Sequence, residues 1–409
     1  MYVYFIHKFW TESVMRTFTL LSIVLVLAMA GCTGPKLLHR SVLDYDETIS
    51  TLERKMLLIN IARRHRNIPI HFTVTSSIAA TFNYRKSAGF VGTVFERASS
   101  GDGVSNYAFN FGMSLSENPT LGIVPMQGDE FTERILAPLE EDKFEFLVFQ
   151  GEAIDMIIRL MARGIEFLNE DGTFQRFVLN RPSYVEEYKE FRRIALHLAS
   201  LNISRDLFVG KLSFRGAISM ELSGPPSASD LTEAIEKGYF WKKNEEDGTY
   251  ELSKHVNGRV VISNYDPMAL TNSERQALNQ FANEQPKNFI LLDIRPGYPG
   301  GDFPIFGSIK LRSLYGIIDF LADGIENSPE FDVEPDPRTG LTPENPKNTL
   351  TILIDEPTAA EFLRVPYKEH DYTIGYTSWD YDTFKNLYHL FQTAVTDVSA
   401  QVVPITISK

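Results

Sequence analysis

Residues 44–74 read DYDETISTLERKMLLINIARRHRNIPIHFTV, and within them the apolar period changes. From Asp44 to Arg66, Ile49, Leu52, Met56, Leu58 and Ile59 recur at three- and four-residue spacings. Asp44, Asp46 and Glu47 stand at the start and Arg63, Arg64, His65 and Arg66 at the end. The spacing predicts an amphipathic helix, and the order of charges suits its dipole. Beyond Ile68 the period drops to two. Ile70, Phe72 and Val74 alternate with polar neighbours, and Tyr107, Phe109, Phe111, Met113 and Leu115 do so again. Alternation predicts half-buried strands near 69–84, 89–97, 105–116 and 120–125, with a turn at Glu117-Asn118-Pro119, arranged as an antiparallel meander.

Downstream, residues 128–200 read as helical, interrupted at Pro138. Strands return at 207–223, then a helix over 227–237 and an aromatic hairpin of Tyr239-Phe240-Trp241 against Thr249-Tyr250-Glu251. The remainder reads as strand 259–263, helix 272–283, strand 288–294, a Gly/Pro loop at 296–301, helix 312–326, strands 349–354 and 372–376, helix 380–394 and strand 400–407. Five prolines within 328–347 predict an exposed irregular loop. Strands and helices mix without strict alternation, so the expected class is α+β: an N-terminal α+β domain over 43–205 and a mixed α/β, C-terminal one over 206–409.

Upstream, Thr17–Gly31 reads TFTLLSIVLVLAMAG, preceded by Arg16 and followed by Cys32, the only cysteine among 409 residues. A cation, a short apolar run and small residues before a cysteine are the layout of a bacterial lipoprotein signal. The expectation is cleavage after Gly31 and acylation of the Cys32 thiol, a nucleophile able to accept a lipid. Residues 1–14 suit neither a signal nor a domain, which predicts a start at Met15, and residues 32–42 then read as a tether. Thr33 is not the aspartate that favours retention at the inner membrane, so the expected location is the outer membrane, periplasmic face. Removing residues 1–31 takes away Lys8, Arg16 and Glu12, making the formal charge of −13 one unit more negative. An acidic body disfavours nucleic acid and a second, electrostatic hold on anionic lipid. The expected partners are the bilayer, through acylated Cys32, and an envelope protein. No later stretch approaches the roughly 20 apolar residues of a helical membrane span.

Chemical motifs are few. Ile354-Asp355-Glu356-Pro357 looks like the end of an ATPase strand, but no G-x-x-x-x-G-K-[ST] loop exists to cradle phosphate, so no nucleotide is expected. No H-x-x-x-H or H-E-x-x-H occurs, and Glu369-His370-Asp371 resembles a ligand set in composition only, so neither metal nor cofactor is expected. No G-x-S-x-G is present. The remaining catalytic candidates are Asp293, at a strand end, and Asp302, after Gly300-Gly301, as a carboxylate pair acting on a saccharide; the aromatics Tyr239, Trp241, Tyr298 and Trp379 would stack on it.

Several blocks together resemble a family of proteobacterial outer-membrane lipoproteins of unknown activity. They are Leu57–Arg63 to Pro69 with Ser76-Ser77-Ile78, Glu117–Thr120 to Pro125–Phe131, Leu311–Ile317, Val365–Tyr367, Tyr372–Ile374 and Asp382–Leu390. The resemblance implies export and anchoring and transfers no catalytic residue. The expected function is a lipid-anchored envelope protein with a non-enzymatic scaffold, assembly or ligand-contact role, the alternative being a periplasmic polysaccharide hydrolase.

Overall fold

The computed structural model describes residues 33–93, 106–169, 171–245, 248–342, 344–356 and 363–395; over 33–41, 74–93, 106–124 and 217–221 it describes the backbone. Gly31, Cys32 and the strand expected at 400–407 lie outside these residues. Thr33–His65 form one helix, α1. It begins well before the expected Asp44, so the segment read as a tether is helical backbone. Only the end of α1 enters the core: Leu57, Leu58, Ile61 and Ala62 are fully buried, whereas Val42, Leu43 and Leu52 are at least half exposed. Asn67, at φ 56°, reverses the chain. His71 then donates its N–H to Asn60 Oδ1 at 2.9 Å and accepts from Asn60 Nδ2 at 3.0 Å, and the Thr73 N–H meets Met56 Sδ at 3.4 Å. The segment leaving α1 therefore runs back along it, toward its N-terminus.

Thr73–Thr93 (β1) and Asn106–Pro125 (β2) form an antiparallel two-stranded sheet, and neither pairs with another strand among the described residues. The meander is thus one long hairpin. The expected turn at Glu117-Asn118-Pro119 lies inside β2, opposite Phe82, Thr81 and Ala80. In a two-stranded ribbon each strand has an open edge, and proline fits where its nitrogen faces that edge.

Gly128–Phe131 (α2) leads into a π-helical turn at Thr132–Leu136, then α3 (Glu141–Phe149) and α4 (Ile154–Met161). The helical reading of 128–200 fails next: Ala162–Leu168 (β3) and Phe174–Leu179 (β4) form a hairpin before α5 (Val185–Ser204). α4 keeps helical spacing at Ile154, Ile157, Ile158 and Met161, but β3 is buried on both faces and does not alternate, so pattern does not mark where the helix stops. Gly164 marks it instead: a Cβ there would stand 2.4 Å from the Val178 carbonyl oxygen.

The chain continues through β5 (Phe208–Leu222), α6 (Ala228–Glu236), β6 (Tyr239–Lys243), β7 (Tyr250–Ser263), α7 (Asn272–Asn283), β8 (Phe289–Ile294), β9 (Ile305–Leu311) and α8 (Leu314–Asp323). It closes with β10 (Ile352–Ile354), β11 (Val365–Tyr367), β12 (His370–Ile374) and α9 (Ser378–Val395). A seven-stranded sheet runs β4-β3-β9-β8-β7-β5, with β6 on β7; β7 and β8 are parallel, joined through α7, and the other pairs antiparallel. β10, β12 and β11 make a small separate sheet. The fold is α+β. The large sheet takes strands from both sides of residue 205, and the main core extends from Leu57 to Val395, so the expected division at 205/206 separates neither sheet nor core.

β8 shows why. Ile290, Leu292 and Ile294 enter the main core with Val260 and Ile262, while Leu291 packs with Val261, Leu278 and Ala282 in a second cluster under α7. Both faces are covered, which demands a continuous apolar run. Thr271 caps α7 through a capping box with Glu274.

Candidate functional site

Asp293 does sit near the end of β8, but buried, at 4% exposure. The Tyr265 hydroxyl donates to its Oδ2 at 2.7 Å, and Arg295 pairs with the same oxygen at 2.6 Å while lying 4.4 Å from the centre of the Tyr265 ring. Burial and the adjacent carboxylate push the Tyr265 phenol well above its ordinary pKa. Asp302 is exposed, and neither aspartate lines any of the three main clefts among the described residues. The intervening loop is fixed from below: Asn264 Nδ2 donates to the carbonyls of Arg295 and Pro299 at 2.9 Å, and His197 Nε2 lies 3.0 Å from the Gly300 carbonyl. Burial lowers the His197 pKa, consistent with a neutral, structural ring.

The expected aromatics do not converge. Trp379 is buried and donates to the Thr349 carbonyl at 2.9 Å, Trp241 reaches the Asp230 carbonyl at 3.4 Å, and Tyr298 lies 5.3 Å from Tyr265. Asp355 occupies a turn after β10 at φ 56°, with its carboxylate 2.6 Å from His370 Nδ1. The ATPase-like string therefore enters a polar turn at Asp355, while His370 and Asp371 open β12 and contact that carboxylate. Among the described residues no group of three or more His, Cys, Asp or Glu is placed to hold a metal ion.

Two polar features escaped sequence reasoning. The first lies under the proline-rich segment. Glu330, 6% exposed, accepts from the Tyr188 hydroxyl at 2.5 Å, from Thr349 Oγ1 at 2.8 Å and from Arg159 at 3.2 Å, with Arg192 at 3.8 Å. Arg159 and Arg192 also hold the Pro346 and Lys347 carbonyls. A segment expected to be exposed is therefore pinned to α4 and α5, although Leu341 does face solvent. Burial works against the Glu330 carboxylate, but the Arg159 charge and its hydrogen bonds hold its pKa below the ordinary value.

The second is a cleft of about 440 Å³ where the β3–β4 hairpin meets the start of α8. Arg163, Arg181, Lys310 and Arg312 line it with two carboxylates, Asp319 and Asp323. Both carboxylates are already engaged: Arg64 pairs with Asp319, and Arg181 with Asp323 at 2.8 Å. Arg312 is spent on structure, donating to the carbonyls of Arg159, Leu160 and Asn180 at 2.8–3.1 Å. Burial pulls its pKa down to about 9. Arg163 and Lys310 have no carboxylate partner among the described residues, and Lys310 lies over the Phe289 ring at 4.8 Å. The cleft thus offers two uncommitted cations beside the N-terminus of α8, an arrangement that favours anions. Its lining comes from six segments between residues 136 and 328, so no local motif could have disclosed it.

Comparison with protein-family models, with curated proteins and with solved structures finds no match.

Proposed function

We propose that this chain is a lipid-anchored envelope protein of the outer membrane, facing the periplasm, whose body works by contact and not by catalysis. One observation carries the non-enzymatic reading: Asp319 and Asp323 in the basic cleft are committed to arginines, and the candidate pair consists of a buried Asp293 held by Arg295 and an exposed Asp302. A general acid or base needs a group free to exchange a proton with substrate. The anchoring part rests on the sequence before Thr33. α1 supports it, since Thr33 stands about 30 Å along the helix from Glu53, which accepts from the Tyr388 hydroxyl of the body at 2.8 Å. Through Arg163 and Lys310 the body contacts an anionic group of an envelope partner.

The direct experiment is metabolic labelling with a fatty-acid analogue. The native chain incorporates label and fractionates with the outer membrane, while Cys32→Ser accumulates unprocessed and unlabelled. Label retained by Cys32→Ser defeats the anchoring assignment.

A further inference from the structure

We infer that the β1–β2 hairpin is a membrane-spanning stave that closes into a β-barrel with the same hairpin of other copies of this chain. Three observations converge on it. First, the register after the bulge at Thr75/Ser77 sorts residues by face. Over 84–93 and its partners 106–115, one face carries Tyr84, Phe90, Tyr107, Phe109, Phe111 and Leu115. The other carries Ser87, Gly89, Val91, Ala108, Asn110 and Gly112. Strands that separate hydrocarbon from water alternate in this way, apolar outward and small or polar toward the lumen. Lys86 is the one charge on the apolar face of this stretch, and it sits beside Tyr84 at the end nearest the body, the headgroup level where a bilayer tolerates lysine.

Second, both outer edges of the ribbon are unpaired among the described residues. An open edge is excluded from hydrocarbon because its N–H and C=O groups find no partner there, and only closure removes it. Two strands cannot close on themselves, so further copies must supply the neighbours.

Third, length and direction agree. The chain enters β1 running back along α1, from His71 beside Asn60 to Thr73 beside Met56. From Met56 to Thr33 the helix extends about 35 Å, at roughly 1.5 Å per residue. From Thr73 to Thr93 the strand extends about 65 Å, at roughly 3.3 Å per residue. The hairpin outreaches that length of helix by about 30 Å, the thickness of the hydrocarbon core. That excess corresponds to about nine or ten residues, Tyr84 to Thr93, the stretch whose faces are sorted most cleanly. This third argument rests on the Cys32 anchor; the other two do not.

The test is a single-cysteine scan of the full chain reconstituted in phosphatidylethanolamine–phosphatidylglycerol vesicles, each cysteine carrying an environment-sensitive fluorophore, in native and Cys32→Ser backgrounds. Labels at 84, 88 and 90 should be quenched by nitroxide lipids, and labels at 87, 89 and 91 by aqueous iodide, with a period of two. Light scattering in detergent should give a multiple of the chain mass. Phe90→Asp should abolish that assembly and vesicle ion conductance, and Ser87→Asp should keep both and shift selectivity toward cations. Iodide quenching at every position, protection from both quenchers as under a protein partner, or a monomer in detergent overturns the inference. If alternation fails while fatty-acid labelling of Cys32 persists, the hairpin proposal falls alone; if labelling fails and alternation persists, the anchor falls alone.

Discussion

The β1–β2 hairpin and the seven-stranded sheet are both β-structure, yet they answer to different surroundings. β8 reads FILLDI and has helices and core on both faces, with Ile290, Leu292 and Ile294 on one side and Leu291 on the other. The hairpin alternates over 84–93 and 106–115, with Lys86 and Val91 as exceptions, and joins no other sheet among the described residues. A continuous apolar run specifies burial on two sides, and alternation specifies two unlike neighbours. The lesson is that alternation does not say whether the second neighbour is water beside a protein core or water beside lipid. On this account the sheet gives the molecule its stability and the hairpin gives it an assembly, and substitutions should divide accordingly.

The largest effect is expected at Glu330. Glu330→Ala leaves Arg159 and Arg192 buried without their counter-charge, and breaking such a cluster costs about 3–5 kcal/mol. Urea unfolding of the body should report that loss. The native group also predicts a pH dependence. Its folded pKa is depressed, so its contribution is fully present above the unfolded glutamate value of about 4.3 and is lost as pH falls through the lower folded value. Glu330→Gln should flatten that acid limb. Next, Leu292→Ala in the doubly covered β8 should cost about 2–5 kcal/mol by opening a cavity in the main core. Thr271→Ala, which removes the capping box of α7, should cost about 1 kcal/mol. Smallest of all, Phe90→Ala in the hairpin should move body stability by no more than about 0.5 kcal/mol, as for a substitution outside the core. A Phe90→Ala penalty comparable to that of Leu292→Ala would show the hairpin to be part of the core.

Much of the body was legible. The helix expected over 272–283 has the limits of α7, and the strand expected over 288–294 contains β8. The hairpin's alternation was equally plain, but Glu117-Asn118-Pro119 carries turn chemistry that an open ribbon edge absorbs, so one strand was read as two. β3 was hidden because burial on both faces erases alternation, and β4, exposed over its first three residues, does not alternate either. Asp293 was found as a strand-end carboxylate, but its partners are Tyr265, 28 residues away, and Arg295, two residues on. Sequence order carries no record of such contacts, nor of a cleft assembled from six segments.

The separation of hairpin from body is tested most directly by excising residues 75–123. Val74 and Val124 are register partners, so an Asn-Gly turn can join them without disturbing the strands below. The account predicts that the shortened chain unfolds cooperatively at the urea midpoint of the full chain, within about 0.5 kcal/mol, while losing its assembly in detergent. A body that loses cooperative unfolding on excision, or that still assembles without the hairpin, would contradict it.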